Sequence, residues 1–308
     1  MPARFVQIFQ SNQKYTASVD NGPRFLVGKR TPYKGMLGIT NDGLGTGAQY
    51  AATDYPQEGH WAHFILPTAI CESSGFLTNI NTYDSARFTF GFFQFAAHVP
   101  NGDFVRFFRR LVELPPGSTY FPDLLVKNGC IFRQTETGPK QLEDANSTAL
   151  LMDYLNPSST AIEDIEVINA AKLIDGANQF QDQRDLQVGE AINTAKQIMK
   201  VSGPRYNLDG MIDKVCLVVM DIRHQGRAGS QTIIHALRSG SSEEAKFNNL
   251  LKIGADTYPE RIRTLKSEIN KLVAAQNLGI SRYRLATNDF ASTDPGQFLE
   301  LQTSGKTE

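Results

Sequence analysis

Cysteine is scarce in this 308-residue chain, and its three copies stand far apart, at Cys71, Cys130 and Cys216. None belongs to a C-x-x-C or C-x-x-H pair, which argues against a zinc site or a disulfide framework. An odd, sparse set in apolar surroundings is typical of buried thiols, with one disulfide as the open alternative.

His60 and His63 could share a helical face, but no acidic third ligand follows at a usual distance. We therefore expect no metal ion and no cofactor.

Long apolar runs and long runs of one charge sign are also missing. No stretch approaches 18 consecutive apolar residues, so the sequence predicts no membrane-spanning helix. The formal net charge is −1 and the two signs are interspersed, which argues against a nucleic-acid partner. The first residues, MPARFVQIFQSNQKYT, lack the apolar core and cleavage site of a signal peptide. We expect a soluble protein, for which action outside the cytoplasm would require non-classical delivery.

The chain does contain two carboxylates inside an unusually apolar and aromatic stretch. Between residues 65 and 101 the only formal charges are Glu72, Asp84 and Arg87. A stretch this apolar predicts burial, and a buried carboxylate is costly unless it is paired or used. Glu72 and Asp84 are therefore the candidate catalytic residues.

Apolar periodicity predicts an α+β protein that is mainly α. Residues 60–74 suit a buried helix ending near Gly75, and residues 87–95 alternate as a strand does. Asp103 is placed to cap a following helix. Six further helices are expected in the second half, at residues 159–178, 185–201, 208–224, 230–239, 242–253 and 258–277.

Three regions are expected along the chain. Residues 1–60 combine short apolar pieces with turn signals and predict an irregular or β-rich extension. Residues 61–288 form the expected catalytic domain. Residues 289–308 form a polar tail, and residues 140–160 are polar enough to be loosely ordered.

A Glu on a helix, followed by a polar loop, a second acid and a short β piece, is the layout of lysozyme-like glycosidases. Acid–base catalysis by two carboxyls needs environments that differ. Apolar neighbours of Glu72, such as Phe76, favour a protonated acid. Polar neighbours of Asp84, such as Asn79 and Asn81, favour a carboxylate. The pattern indicates a division of labour between the two acids.

Residues 84–95, DSARFTFGFFQF, resemble a motif of the glycoside hydrolase family 46 chitosanases. In that motif an Asp precedes an aromatic residue, a Thr and a Gly, here Asp84, Phe88, Thr89 and Gly91. Glu72 within CESS resembles the family's catalytic Glu. The Gly-Asp pair at 102–103 and the apolar CLVVMDIRHQG at 216–226 resemble later family segments, so the resemblance covers residues 65–280.

The resemblance implies a two-lobed, lysozyme-like fold with a small β element beside the cleft. It implies endo-acting, inverting cleavage of a β-1,4-linked amino-sugar polymer such as chitosan. Glu72 would be the general acid, Asp84 the general base, and Thr89 would position the attacking water. Inversion requires the two carboxyls to stand roughly 6.5–9.5 Å apart.

Other residues of this stretch are candidates for binding sugar, each with a structural alternative. Arg87 would contact substrate or hold Asp84 ionised, and Gln94 would line the cleft or satisfy backbone groups. Asp103 would contact sugar or only cap its helix. Tyr83 and Tyr120 would be stacking platforms, because a phenol tolerates a wet edge.

Two other functions stay open. The 12-residue interval between Glu72 and Asp84, with ESSG at 72–75 and GFFQ at 91–94, resembles goose-type lysozymes and lytic transglycosylases. These features favour a peptidoglycan hydrolase, as a phage lytic protein or a toxin with its own immunity or delivery partner. The second alternative is a non-catalytic glycan-binding protein.

Overall fold

The computed structural model describes residues 2–292 and has about 46% helix and 18% strand. The expectation of an α+β, mainly α protein is confirmed. The first third contains β1 Val6–Ser11, β2 Lys14–Val19, β3 Phe25–Tyr33, β4 Met36–Thr40, α1 His60–Ser73, β5 Ile80–Asn81, β6 Thr89–Phe90 and β7 Phe95–Ala96. Next come α2 Asp103–Glu113, α3 Pro115–Tyr120, β8 Leu124–Lys127, β9 Cys130–Arg133, β10 Lys140–Gln141, α4 Ala149–Leu155 and α5 Asp164–Gln179. The remainder contains α6 Gln181–Tyr206, α7 Asp213–Gln225, α8 Ser230–Arg238, α9 Glu243–Leu251, α10 Pro259–Ala274, β11 Ser281–Arg284 and β12 Asp289–Ser292.

The chain folds into two compact units that do not follow the boundaries expected from the sequence. Among the described residues, unit 1 combines the chain up to Tyr50 with Glu72–Ala191, and unit 2 combines Ala51–Cys71 with the chain from Ile192 to residue 292. The N-terminal segment is thus built into unit 1 instead of forming a separate extension. Of the expected polar tail, residues 289–292 form β12, and residues 293–308 lie outside the described residues.

Unit 1 is built around a seven-stranded antiparallel sheet in the order β1-β2-β3-β4-β5-β6-β7. Each strand pairs with its neighbour in sequence. Two-residue turns connect β1 to β2 and β3 to β4, whereas residues 41–79, which include α1, separate β4 from β5. The turn between β3 and β4 consists of Lys34 and Gly35, both with positive φ, 47° and 83°. Helix α5 packs on β1, β2 and β3.

The core of unit 1 is aromatic where the sheet meets α2. Phe104, Phe107, Phe108 and Leu111 recur at helical spacing on one face of α2 and are all buried. Phe90 and Phe95 of the β6–β7 hairpin lie 6.1 and 5.9 Å from Phe107, measured between ring centroids. The phenylalanines of the candidate stretch are therefore core residues.

Unit 2 is helical around α7, whose apolar residues from Val215 to Ile222 are buried. Asp221 sits on this helix with a fully buried side chain, and it accepts hydrogen bonds from Arg227 Nη1 at 2.5 Å and Arg261 Nη2 at 2.7 Å. Thr68 Oγ1 donates to the same carboxylate at 3.0 Å. Burial raises the pKa of Asp221, but the charges of Arg261 and Arg227 outweigh burial and hold its pKa below the usual range.

Candidate functional site

Glu72 lies in the last turn of α1, half-buried, one residue before the helix ends. Ser74 and Gly75 have positive φ, 55° and 77°, which stops the helix where the sequence predicts. Ser73 Oγ donates a hydrogen bond to the Phe92 carbonyl at 2.8 Å. These contacts fix the position of the helix end that carries Glu72 within unit 1.

Asp84 lies in the loop between β5 and β6 and is half-buried. Its Oδ1 accepts a hydrogen bond from the Ala86 N–H at 2.9 Å, and its Oδ2 accepts one from Asn81 Nδ2 at 3.2 Å. Each carboxylate oxygen is therefore held by one N–H donor, so the carboxylate has a fixed orientation.

Thr89 lies in β6, where it is buried and pairs with Asn81 of β5 and Ala96 of β7. Directly opposed residues of antiparallel strands place their side chains on the same face of a sheet. Thr89 therefore shares a face with Asn81, whose side chain donates a hydrogen bond to Asp84. This register places the third predicted catalytic residue beside the Asp84 network.

Residues 87–95 form a hairpin and not the single strand that their alternation predicts. Gly91 and Gln94 have positive φ, 86° and 53°, and the chain reverses between them. A Cβ on Gly91 would lie 2.3 Å from Gln187 Oε1, so only glycine fits without displacing that side chain. Gln94 is half-buried, and its Nε2 donates to the Gly91 carbonyl at 2.9 Å. The Gln94 amide therefore supports the hairpin turn.

The Arg87 side chain is engaged by α4 and the residue after it. Its Nη2 lies 2.9 Å from Asp153 Oδ1 and also donates to the Asn156 carbonyl. Asn156 Nδ2 in turn donates to the Arg87 carbonyl at 2.9 Å. Asp153 and Asn156 are thus structural partners of the Arg87 side chain.

Asp103 is the first residue of α2, and Gly102 occupies the N-cap position that the sequence assigned to Asp103. Asp103 Oδ1 accepts hydrogen bonds from the Phe104 N–H at 2.7 Å and the Ala96 N–H at 3.3 Å. The Asp103 carboxylate therefore accepts from an N–H of the first helical turn, although Asp103 lies one residue after the N-cap. The same carboxylate connects β7 to α2.

The two tyrosines proposed as stacking platforms have different environments. Tyr120 is 1% exposed, and its hydroxyl donates to Asp175 Oδ2 at 2.5 Å, so it lies in the core. Tyr83 is half-buried, immediately before Asp84. Burial and the negative charges of Asp84 and Asp42 raise the pKa of Tyr83, so its phenol is neutral at physiological pH.

Two residues near this site were missed by the sequence analysis. Glu166 of α5 is fully buried, and its Oε1 accepts a hydrogen bond from the Thr82 hydroxyl in the loop that leads to Asp84. Burial raises the pKa of Glu166 to about 7. Tyr33 stands at the end of β3 and contacts Tyr83. Neither had a local signal, because both reach the site through tertiary contacts.

Residues 2–292 contain no group of three or more His, Cys, Asp or Glu side chains arranged to hold a metal ion. All three cysteines lie within this range, and none is part of a disulfide; Cys216 is buried, whereas Cys71 and Cys130 are half-buried. Across the same part of the chain no helix is both long and apolar enough to cross a membrane.

Comparison of the chain with protein-family models, with curated proteins and with solved structures gave no match in any of the three.

Proposed function

We propose that the protein is an endo-acting, inverting glycosidase that cleaves a β-1,4-linked amino-sugar polymer of the chitosan type. The observation that supports it most is the presence of two half-buried acids on separate elements of one compact unit. Glu72 ends α1, and Asp84 follows β5 with both of its oxygens held by N–H donors. Under this proposal the fold is of the two-lobed, lysozyme-like class.

In this mechanism Asp84 is the general base. It removes a proton from a water molecule whose oxygen attacks the anomeric carbon. The hydrogen bonds from Asn81 and Ala86 orient the carboxylate toward that water and leave lone pairs for it. Thr89, which lies opposite Asn81 in the β5–β6 pair, would hold the same water.

Glu72 is the general acid, which donates its proton to the glycosidic oxygen as the bond from that oxygen to the anomeric carbon breaks. The leaving sugar gains the proton of Glu72, and Asp84 gains the proton of the water. The new hydroxyl therefore stands on the opposite face of the ring from the departing group, which inverts the anomeric configuration.

The second candidate substrate is peptidoglycan. It is favoured by the short Glu72-to-Asp84 interval and by the ESSG and GFFQ segments. The near-neutral net charge favours neither a polycationic nor an anionic polymer. The chemistry of Glu72 and Asp84 would be the same on either glycan, because both polymers contain β-1,4-linked amino sugars.

The proposal is tested by incubating the purified protein with chitosan and, separately, with peptidoglycan sacculi, and by measuring new reducing ends. We expect Glu72→Gln and Asp84→Asn each to lower kcat by roughly 10²- to 10⁴-fold, because each removes a proton-transfer group while preserving shape. Glu136→Gln is the matched control, since Glu136 is an exposed acid of the same unit.

Three results would count against parts of the proposal. Absence of new reducing ends from either polymer would overturn glycosidase activity. Cleavage of sacculi alone would replace chitosan by peptidoglycan as the substrate. Full activity in Glu72→Gln would remove Glu72 from the mechanism and favour a different acid.

A further inference from the structure

The β3–β4 hairpin carries an exposed aromatic side chain at its tip. Tyr33 is the last residue of β3, pairs with Met36 of β4 and is 42% exposed. A tyrosine ring exposed to this extent offers apolar surface that a ligand can cover. The two-residue turn that follows, Lys34-Gly35, is tight and holds the end of the strand in place.

The exposed ring of Tyr33 contacts the tyrosine that precedes the proposed base. The ring centroids of Tyr33 and Tyr83 are 5.8 Å apart with an interplanar angle of 64°, an edge-to-face arrangement. Tyr83 is followed directly by Asp84. The two rings therefore form a small aromatic surface beside the Asp84 carboxylate.

The hairpin is fixed to the Asp84 loop by hydrogen bonds between Ile39 and Thr82. The Ile39 N–H donates to Thr82 Oγ1 at 2.7 Å, and the Thr82 N–H donates to the Ile39 carbonyl at 3.0 Å. Gly38 allows this close approach, because a Cβ there would lie 2.6 Å from the Thr82 backbone. Tyr33 thus has a defined position relative to Tyr83.

We propose that Tyr33 and Tyr83 form a sugar-binding subsite that holds one pyranose ring of the glycan next to Asp84. This inference rests on the proposed function and assigns a role to the N-terminal hairpin. The faces of a pyranose ring carry C–H groups that pack on aromatic rings, while its hydroxyls stay in water or bind polar neighbours. Asn81 and Asp84, which are hydrogen-bonded to each other and close to Tyr83 in the chain, supply such polar neighbours.

Lys34 is the competing occupant of this surface. Its Nζ lies 5.1 Å from the Tyr33 ring centroid, within reach of a cation–π interaction. The side chain is exposed and its stem is flexible, so a sugar ring can displace it.

The test measures binding of glucosamine and N-acetylglucosamine hexamers to the Glu72→Gln protein by calorimetry, and cleavage by the protein with Glu72 intact. Tyr33→Val keeps strand propensity but removes the ring. We expect it to raise Kd and KM by roughly three- to tenfold with little change in kcat. Tyr33→Phe, which keeps the ring, should restore binding. Tyr258→Val is the matched control, since Tyr258 is 43% exposed in unit 2.

A second measurement uses the Glu72→Gln protein, in which the hexamer stays intact, and so does not depend on how Tyr33→Val folds. Exposed tyrosines are nitrated with tetranitromethane, and the products are identified by mass spectrometry. The hexamer should protect Tyr33 from nitration and leave Tyr258 reactive.

The outcomes separate the subsite from the proposed function. In one outcome the wild type cleaves the hexamer while Tyr33→Val binds it with an unchanged Kd, or while Tyr33 is not protected from nitration. Either result overturns the subsite and leaves the glycosidase proposal standing. Binding that weakens in Tyr33→Val without any cleavage supports the subsite and overturns hydrolysis. If the protein neither binds nor cleaves the hexamers or the polymers, both the subsite and the proposed function are overturned.

Discussion

Glu166 is a carboxyl that the fold keeps neutral at pH values where an ordinary glutamic acid is charged. It is fully buried against Thr82, and burial raises its pKa from 4.5 to about 7. The folded state therefore binds this proton more tightly than the unfolded state does. The stability contributed by Glu166 is fully present below pH 4.5 and is lost as the pH rises toward 7.

Glu166→Gln replaces this group by one that stays neutral at every pH. Between pH 4.5 and pH 7, we expect the free energy of unfolding of the wild type to fall by about 3 kcal/mol more than that of Glu166→Gln. Urea denaturation at a series of pH values measures this difference. The free energy of unfolding of Glu136→Gln should change with pH as that of the wild type does, because Glu136 is exposed. Parallel curves for Glu166→Gln and the wild type would show that Glu166 does not titrate in this range.

Asp221, unlike Glu166, is a buried carboxyl that is held charged, by Arg227 and Arg261. We expect Asp221→Asn to lower the free energy of unfolding by about 3–5 kcal/mol, because it leaves two buried guanidinium groups without their carboxylate. Urea denaturation at pH 7 measures the loss, with the exposed Asp256→Asn as the control in the same unit. A loss below about 1 kcal/mol, the range of a solvent-exposed pair, would contradict this account.

At the scale of elements, the contact between β4 and the Asp84 loop depends on a glycine. A Cβ at Gly38 would lie 2.6 Å from backbone and side-chain atoms of Thr82. We expect Gly38→Ala to cost about 1–3 kcal/mol and to lower kcat, because β4 and the loop must move apart.

The matched control for Gly38→Ala is Gly189→Ala in α6, where a Cβ meets no atom within 4 Å. This change should leave activity intact and stabilise the helix by about 0.5–1 kcal/mol. Thermal unfolding and the reducing-end assay measure both variants. Wild-type behaviour of Gly38→Ala in both assays would mean that the hairpin and the loop adjust freely.

Helices were the elements best predicted from the sequence. The six segments expected in the second half all correspond to helices, because apolar residues at 3.6-residue spacing bury one face. The single strand expected at 87–95 was wrong, since alternation does not reveal the reversal at Gly91. Loose order at 140–160 was also wrong, because Glu143, Leu151 and Asn156 are buried there despite the polar composition.

Of the candidate site, the sequence could indicate the residues that are close along the chain. Glu72, Asp84 and Thr89 carry a local pattern, and the structure places all three in one unit. The core position of Tyr120 and the Arg87–Asp153 pair depend on α5 and α4, which are distant in sequence. Tyr33 and Glu166 reach the site only through the fold, so no spacing rule could have found them.

At the scale of the whole molecule, the N-terminal segment is an integral part of unit 1. Strands β1–β4 supply four of the seven strands of its sheet, and α5 packs on three of them. We expect deletion of residues 2–50 to unfold unit 1, because it exposes the edge of β5 and one face of α5. Circular dichroism and limited proteolysis of the truncated protein measure this. A truncated chain that keeps cooperative unfolding and protease resistance would show that the segment is a separable appendage.

The central claim is that Glu72 and Asp84 act as an inverting acid–base pair. Proton NMR of the first products from a chitosan hexamer, or from solubilised glycan strands if sacculi are the substrate, shows which anomer forms before mutarotation. The account predicts that the α-anomer appears first from the β-linked substrate with the wild type, and that Glu72→Gln and Asp84→Asn form almost none. Initial release of the β-anomer, or unchanged product formation by either variant, would contradict it.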